Sequence, residues 1–311
     1  MKKVLPSLAC FLAILFSFIF LWLYPARTGE KTVQAEKVVL RLWHVDTFEG
    51  GKGSRAAFLN RVARTFESGR EGVYIMVETF TTEGVESSLE EGQSPDMISF
   101  SCGVEGVAEL AKALPFSFVG GRLDDGCYAY PWAAGRYYLF SLTDDFTGIN
   151  EETLVLSEGG KNIPQAAAAL AGLQGEFKRE NSTSAYVDFL SGKYRYMLGT
   201  QRDVCRFAAR GVDVKKKTVE EYSDLFQYIS VVSDQAREGE VSQKFVNYLL
   251  SAEVGEKLSE IGMYPAETVK VESTLCAFTD GTGVENLRSV AEQALVSGDT
   301  KILKSYLKPL N

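Results

Sequence analysis

The chain has 311 residues, enough for two domains with sizeable cores, and 45% of its residues are hydrophobic while 24% are charged. This balance is typical of a soluble globular protein. The first 35 residues carry four basic residues and one acidic residue, so residues 36–311 hold a net charge of −11 in a chain whose total is −8. A strongly acidic body argues against a nucleic-acid partner, because phosphates require a basic face.

The N-terminus has the composition of an export segment. A short basic head, "MKK", precedes an apolar run from Val4 to Tyr24. This order is typical of a signal peptide, and about 20 apolar residues are also enough to span a bilayer. We therefore expect residues 1–35 to be a cleaved signal peptide or an uncleaved membrane anchor, with the rest of the protein outside the cytoplasm.

The first part of the body alternates predicted strands with predicted helices. Apolar, β-branched segments predict strands over 38–45, 73–80 and 96–101. Ser54 and a threonine N-cap open the two amphipathic segments between them, and both segments are predicted to be helices. Strand–helix–strand–helix–strand at this spacing predicts a parallel sheet with covered faces.

The second part contains two predicted crossings between structural units. The aromatic segment 128–142 is expected to leave one unit and enter the next as a strand, and 221–233 has a similar character. The alanine-rich segment 164–173 is opened by a proline and predicts a helix. Residues 242–262 predict a helix pair, and the C-terminal tail predicts two more amphipathic helices.

The stretch "SGKYRYMLGTQRD" (191–203) predicts an aromatic strand that runs directly into a helix. Thr200 is the expected N-cap, with Asp203 in capping-box position, so Gln201 and Arg202 fall in the first helical turn. The basic run 215–217 is interpreted as a solvated turn.

Several chemically distinctive residues follow the predicted strands, where open α/β sheets bind their ligands. Trp43 and Asp46 lie at the end of the first strand, ahead of the glycine-rich segment "GGKGS". This segment lacks the spacing of a phosphate-binding loop, because Lys52 is followed by glycine. It is either a flexible loop before a helix cap or a loop that lines a ligand. Ser99 and Phe100 end the third strand.

The candidate aromatic residues have two interpretations, as packed core or as flat faces on which a sugar ring stacks.

Catalytic patterns are weak. His44 is the single histidine, no G-x-S-x-G motif accompanies it, and no metal-ligand spacing is present. The acidic pairs 124–125 and 144–145 could in principle form a glycosidase couple, but such pairs are typical of solvated turns. We expect no enzyme activity, cofactor or metal. The four cysteines after residue 35 could form disulfides or remain buried thiols.

Five segments occur in the order found in a known family: "LRLWHVDTFEG", "PDMISFS", "YPWAAGRYYLF", "FLSGKYRYMLGTQRD" and "FVNYLLSAEVGEKLSEIGMYP". The chain resembles bacterial extracellular solute-binding proteins of the sugar-binding family 1, the capture components of ABC importers. The resemblance implies an α/β, type II periplasmic-binding-protein fold, in which two lobes with mostly parallel sheets are joined by hinge crossings. Lobe one would comprise 37–133 plus 230–264, and lobe two 138–226 plus 268–311.

The resemblance also implies a ligand in the cleft between the lobes. The ligand-binding residues carried over from the family are Trp43, Asp46, Ser99, Phe100, Trp132, Gln201, Arg202 and Tyr264. A carbohydrate is the favoured ligand, although Arg202 at a helix N-terminus would also suit an anionic one. The expected protein is a monomeric receptor that serves an ABC permease. The alternatives are a ligand sensor that binds a membrane receptor and an exported glycosidase.

The chain departs from the family in two respects. It is shorter than typical sugar binders, so lobe two is expected to be reduced. It also lacks a lipoprotein motif, so an uncleaved anchor is one way to hold it near a transporter.

Overall fold

The computed structural model of the protein describes residues 37–310. The predicted signal peptide or anchor over residues 1–35 lies outside this part of the chain. Within residues 37–310, no helix combines the length and apolar character that a membrane crossing requires.

The strands, in chain order, are β1 (Val38–Val45), β2 (Val73–Phe80), β3 (Met97–Phe100), β4 (Arg122–Leu123), β5 (Gly126–Cys127), β6 (Tyr130–Ala134), β7 (Tyr137–Ser141), β8 (Leu154–Glu158), β9 (Lys178–Asn181), β10 (Tyr196–Thr200), β11 (Lys215–Thr218), β12 (Phe226–Val231), β13 (Ser273–Thr274) and β14 (Lys308–Pro309). The predicted strands at 38–45, 73–80 and 96–101 are confirmed as β1, β2 and β3.

The helices are α1 (Arg55–Ser68), α2 (Thr82–Glu90), α3 (Val107–Leu110), α4 (Pro164–Leu170), α5 (Ser182–Leu190), α6 (Gln201–Ala209), α7 (Ala236–Leu249), α8 (Ala252–Lys257), α9 (Gly281–Ser297) and α10 (Lys301–Ser305). Short 3₁₀ turns lie at Val119–Gly121, Leu258–Ile261 and Ala266–Thr268. The side chain of Ser54 accepts a hydrogen bond from Ala57 N and starts α1 as predicted.

The first sheet has the strand order β2-β1-β3-β12-β6. β1 pairs in parallel with β2 and with β3, as the strand–helix alternation predicted. β12 runs antiparallel to both of its neighbours, so four of the five strands point the same way. The carboxyl ends of β1 and β3 therefore lie side by side at one edge of the sheet.

The second sheet has the order β11-β7-β10-β8-β9, and its antiparallel member is β7. In each sheet the antiparallel strand is therefore the first one that the chain forms after crossing from the other sheet. The expected solvated turn at 215–217 is wrong, because these lysines form most of the edge strand β11, which pairs with β7. Lysine on an edge strand opposes further strand pairing.

The two crossings lie next to each other. The first passes through Gly135 and Arg136, and the second occupies residues 219–225. Gly135 N donates to Leu225 O at 2.6 Å, and Ser223 Oγ donates to Gly135 O at 3.1 Å. Hydrogen-bonded crossings of this kind can act as a hinge. The lobe boundaries expected from the sequence stay a prediction.

A buried carboxylate anchors the second crossing to the second sheet. Asp224 accepts hydrogen bonds from Tyr137 Oη and from Ile163 N, both at 2.8 Å. Burial raises the pKa of Asp224, and the hydrogen bonds oppose that rise. The contact joins the crossing to the start of β7 and to the N-cap residue of α4.

Apolar clusters cover the sheets, and the largest of them contains residues from both sheets. On the first sheet, α1 buries Phe58, Leu59 and Phe66 in this cluster. On the second sheet, Phe189 of α5 and Phe207 of α6 pack edge to face, 5.7 Å between ring centroids. Each fully buried side chain of this size stabilises the fold by about 1.5–3 kcal/mol. This burial holds the three helices against their sheets.

Candidate functional site

The candidate site is built on residues 46–53, which connect β1 to α1 and are called the β1–α1 loop below. Its backbone pairs with the segment that follows β8 of the second sheet. Lys161 N donates to Thr47 O at 2.6 Å, and Glu49 N donates to Gly159 O at 3.2 Å. The loop thus starts from the first sheet and is hydrogen-bonded to the second.

The glycines of the β1–α1 loop permit a close approach to a second segment, the corner that ends at Gly262. Lys52 N donates to Ile261 O at 2.7 Å. Gly51 has a φ of +50°, and a Cβ at this position would lie 1.9 Å from Ile261 O. No other residue fits here without displacing backbone. The loop is therefore firmly held, which the interpretation as a flexible connector did not anticipate.

Arg55, the first residue of α1, organises the loop from within. It is 4% exposed. Its Nε donates to Asp46 Oδ1 at 2.6 Å, its Nη2 donates to Phe48 O, and its guanidinium carbon lies 4.0 Å from the centroid of the Phe48 ring. A buried guanidinium needs a paired carboxylate, so Asp46 and Arg55 position each other.

Asp46 is held in its ionised form. Burial alone would raise the pKa of its carboxyl group, but contact with His44 and the charge of Arg55 outweigh burial and lower the pKa from 3.8 to about 2. His44 Nε2 lies 3.0 Å from Asp46 Oδ1. The carboxylate thus carries its full negative charge at any pH above about 4.

A buried polar network lies beneath this ion pair. Ser99 Oγ accepts hydrogen bonds from Trp132 Nε1 at 3.0 Å and from Gln227 Nε2 at 3.1 Å, and it lies 3.1 Å from His44 Nδ1. With both acceptor sites occupied, the Ser99 hydroxyl donates to His44, and His44 Nε2–H then faces Asp46. Ser99, His44 and Asp46 contain the residue types of a catalytic triad, but Ser99 and His44 are 0% exposed. A substrate has no access to this serine, so the network serves to position Asp46.

The second sheet contributes a cation at the same place. Arg202 lies in the first turn of α6, whose N-cap Thr200 and Asp203 form the predicted capping box. Its guanidinium forms an ion pair with Glu49 of the β1–α1 loop. The same Glu49 carboxylate accepts a hydrogen bond from Ser182 Oγ at the start of α5. A carboxylate from one side of the cleft thus meets a helix N-terminus and an arginine from the other.

These residues surround a cavity of about 390 Å³. Its lining residues are Asp46, Thr47, Phe48, Glu49, Gly50, Gly53, Arg55, Gly160 and Arg202. A larger cavity of about 590 Å³ is lined only by second-sheet elements and by α9, among them Phe177, Arg179 and Glu292. The smaller cavity is the better candidate, because it lies at the carboxyl end of β1 and takes residues from both sheets.

The structure brings together only two of the eight residues proposed from the sequence, Asp46 and Arg202. Trp43 and Phe100 are fully buried beneath the cavity, where Trp43 packs against the Phe80 ring and donates from Nε1 to Glu78 at 3.0 Å. Trp132 is 3% exposed and stacks on another aromatic ring of the core. These three rings and Ser99 are buried, and none of them lines the cavity.

The last two of the eight predicted residues, Gln201 and Tyr264, lie at the first crossing. Gln201 is 0% exposed, and its Oε1 accepts a hydrogen bond from Arg136 N at 3.1 Å. Tyr264 is half-buried, and its hydroxyl lies 3.1 Å from that of Tyr138. Both residues connect the crossing to its surroundings, so their part in ligand binding stays a prediction.

Sequence reasoning missed Phe48, Glu49, Arg55 and Ser182. The glycine-rich loop was a usable signal, because it indicated a backbone that must approach another segment closely. The pairing of Glu49 with Ser182 carries no local signal, since 133 residues separate them.

The acidic pairs and the cysteines considered in the sequence analysis do not form a reactive site at this cavity. Neither acidic pair contributes to its lining; Asp145, for example, pairs with Arg195 at 2.5 Å. Over residues 37–310, no group of three or more His, Cys, Asp or Glu side chains is placed to hold a metal ion. The four cysteines of this range are free thiols. Burial raises the pKa of the Cys102 thiol, which makes it unreactive.

No protein-family model and no curated protein matches the chain. Solved structures do match it. The sugar-binding protein MalE from Xanthomonas citri gives a TM-score of 0.57 at 13% identity, over 84% of this chain and 93% of that chain. The substrate-binding protein Lmo0181 from Listeria monocytogenes, in complex with cycloalternan, gives 0.56 at 11% identity over 87% and 97%. The GacH receptor of Streptomyces glaucescens gives 0.53 at 16% identity over 87% and 100%.

At these identities the likeness establishes the fold. The α/β, two-lobed, type II periplasmic-binding-protein fold expected from the sequence is confirmed.

The close approach of the β1–α1 loop can be tested with two matched glycine variants. Gly51 and Gly53 both have positive φ, but a Cβ at Gly53 would meet nothing within 4 Å. Gly53→Ala should cost about 1 kcal/mol of unfolding free energy, because of its backbone conformation alone. Gly51→Ala should cost at least about 2 kcal/mol more, because it also displaces the Ile261 carbonyl. Equal losses in urea unfolding would contradict the described contact.

The Asp46–Arg55 pair predicts a pH-dependent stability. Since folding lowers the pKa of Asp46 to about 2, its contribution is complete above the unfolded-state value near pH 4 and is lost as the pH falls toward 2. Asp46→Asn should lower the unfolding free energy at pH 7 by about 2 kcal/mol, less than for a fully buried pair because the Asp46 side chain is 43% exposed.

The difference between Asp46→Asn and the unmodified protein should shrink steadily from pH 4 to pH 2. The exposed Asp234, which pairs with Lys112, provides the control, and Asp234→Asn should change stability by less than about 0.5 kcal/mol. A difference for Asp46→Asn that is independent of pH would show that its charge does not stabilise the fold.

Proposed function

We infer that the protein is an extracytoplasmic solute-binding protein, which captures a small solute between its lobes and delivers it to an ABC importer. The observation that carries this proposal is the cavity of about 390 Å³, whose lining joins the β1–α1 loop of the first sheet to Gly160 and Arg202 of the second. Because the crossings lie side by side, bending at residues 135–136 and 219–225 would open and close this cavity.

A carbohydrate is the favoured solute. The matched structures include a sugar-binding protein, a receptor solved with acarbose and a binding protein solved with cycloalternan. The cavity offers hydrogen-bond acceptors from Asp46 and Glu49 and donors from Arg55 and Arg202. Sugar hydroxyl groups both donate and accept, so they suit such a lining.

The remaining parts of the proposal follow from the same comparison. The matched proteins are binding proteins, which supports a receptor that performs no chemistry on its ligand. The partner would be a membrane permease, and the receptor would work as a monomer. The lobes would comprise 37–133 plus 230–264 and 138–226 plus 268–311, with residues 1–35 as the export signal or anchor.

A thermal-shift screen against mono- and oligosaccharides tests the function. A ligand at a hundred times its Kd should stabilise the fold by about 2.7 kcal/mol and raise the melting temperature by roughly 5 °C. Arg202→Ala should reduce that shift, because it removes a cavity donor. The control Arg61→Ala removes an exposed arginine that pairs with Glu260 on the surface, and should leave the shift unchanged.

Two results would contradict the proposal. If no member of a broad panel raises the melting temperature, the receptor function fails. If a sugar binds and is hydrolysed, the protein is an exported glycosidase instead.

A further inference from the structure

The cavity between the sheets holds a cationic group with an unused donor. Arg55 is 4% exposed, and its Nη1 has no hydrogen-bond partner within the described part of the chain. Arg55 is one of the residues that line the cavity, and its buried Nη1 lies beside Gly50, where a Cβ would be 2.9 Å from it. A buried, unpaired guanidinium nitrogen is costly, so an acceptor atom from a ligand is the expected partner.

A second cation in the same cavity is occupied by the protein's own carboxylate. Glu49 forms its ion pair with Arg202 and accepts from Ser182 Oγ, at the first residue of a nine-residue helix. Arg206 Nη1 fixes this helix start by donating to Ser182 O at 2.8 Å. Arginine, hydroxyl and helix N-terminus together form an arrangement that recognises an anionic oxygen group.

The charges in the cavity favour exchange of Glu49 for a ligand anion. With Glu49 in place, two arginines face two carboxylates, Asp46 and Glu49, and the formal charges cancel. If Glu49 leaves, Arg55 and Arg202 remain against Asp46 alone, with a net charge of +1. The Glu49 side chain is 38% exposed, so its carboxylate can leave the ion pair by rotating about its own side-chain bonds while the backbone of the loop stays in place.

We propose that the solute is a carbohydrate that carries an anionic oxyacid group, and that this group replaces the Glu49 carboxylate on Arg202 and Ser182 while Arg55 Nη1 donates to the ligand. The proposal rests on the solute-binding function inferred above and narrows its ligand class. A uronic acid and a sugar phosphate share this chemistry. Glu49 acts as an internal competitor that neutralises the empty site.

Calorimetric titration of the purified full chain with matched ligand pairs tests this inference. Each pair joins a neutral hexose to its uronate or its 6-phosphate, in the gluco, galacto and manno series, and inorganic phosphate is titrated separately. In at least one series the anionic member should bind about tenfold more tightly than the neutral one, because it gains charge-assisted hydrogen bonds. Inorganic phosphate should bind more weakly than the sugar phosphate.

Two variants assign the preference to named residues. Glu49→Gln should strengthen binding of the anionic sugar by about threefold to tenfold, because it weakens the internal competitor while keeping its shape. Arg202→Gln should remove the preference for the anionic member. The control Glu260→Gln affects only the surface pair with Arg61. It should change neither the affinity for the anionic sugar nor the preference for it over the neutral sugar.

The outcomes distinguish this inference from the underlying function. Neutral sugars that bind as tightly as their anionic partners, an Arg202→Gln variant that keeps the preference, or a Glu49→Gln variant that binds the anion less tightly would overturn the anionic assignment and leave the solute-binding function intact. Phosphate alone binding as tightly as a sugar phosphate would also overturn it. If no ligand of either kind binds, the solute-binding function itself fails.

Discussion

The buried guanidinium of Arg55 is the group on which the rest of the site depends. A cation with 4% exposure requires a carboxylate within contact distance, and Asp46 supplies it across the β1–α1 loop. That requirement sets the path of the loop, because Arg55 also holds the Phe48 carbonyl and ring. Once Asp46 and Phe48 are held, Glu49 is directed toward the second sheet.

The Asp46–Arg55 ion pair also connects the buried part of the first sheet to the edge of that sheet. His44 contacts Asp46 from below, and Ser99 contacts His44 in turn, so β1 and β3 support the loop through a continuous polar chain. The chain uses the residue types of a hydrolase triad for a structural purpose. Burial decides between the two roles, since neither the serine nor the histidine is accessible to a substrate.

Contacts between the protein's own groups join the two sides of the cavity. Backbone pairing at Thr47 and Glu49, together with the Glu49–Arg202 ion pair, joins the sheets. A ligand can favour closure only by binding the closed arrangement more tightly than the open one. On the proposal above, a ligand that offers its own anion would replace the Glu49 contact, whereas a neutral ligand would have to fit around it.

Much of the fold could be predicted from the sequence, because local patterns determine it. Alternating apolar segments and N-caps located β1, α1, β2 and α2, and the aromatic segment around Pro131 located the first crossing. The junction at Thr200 was also predicted correctly, down to Asp203 in its capping box. These features depend on residues within a few positions of each other.

The site was predictable only in part. Asp46 and Arg202, each placed at a sheet edge, do line one cavity, and their part in ligand binding stays a prediction. Trp43, Phe100 and Trp132 were proposed for the same site but are buried, because strand position does not reveal whether a ring faces a cavity or the core. Glu49 and Ser182 were missed because their contact exists only after both lobes have folded.

We propose that ligand binds between the β1–α1 loop and the starts of α5 and α6. A crystal structure of the protein with the tightest ligand from the titrations would show where the ligand lies. We expect ligand density within hydrogen-bond distance of Arg55 and Arg202, with the Glu49 side chain turned away from Ser182. Ligand bound elsewhere, for instance in the cavity lined by Phe177, Arg179 and Glu292, would show that the proposed site is wrong.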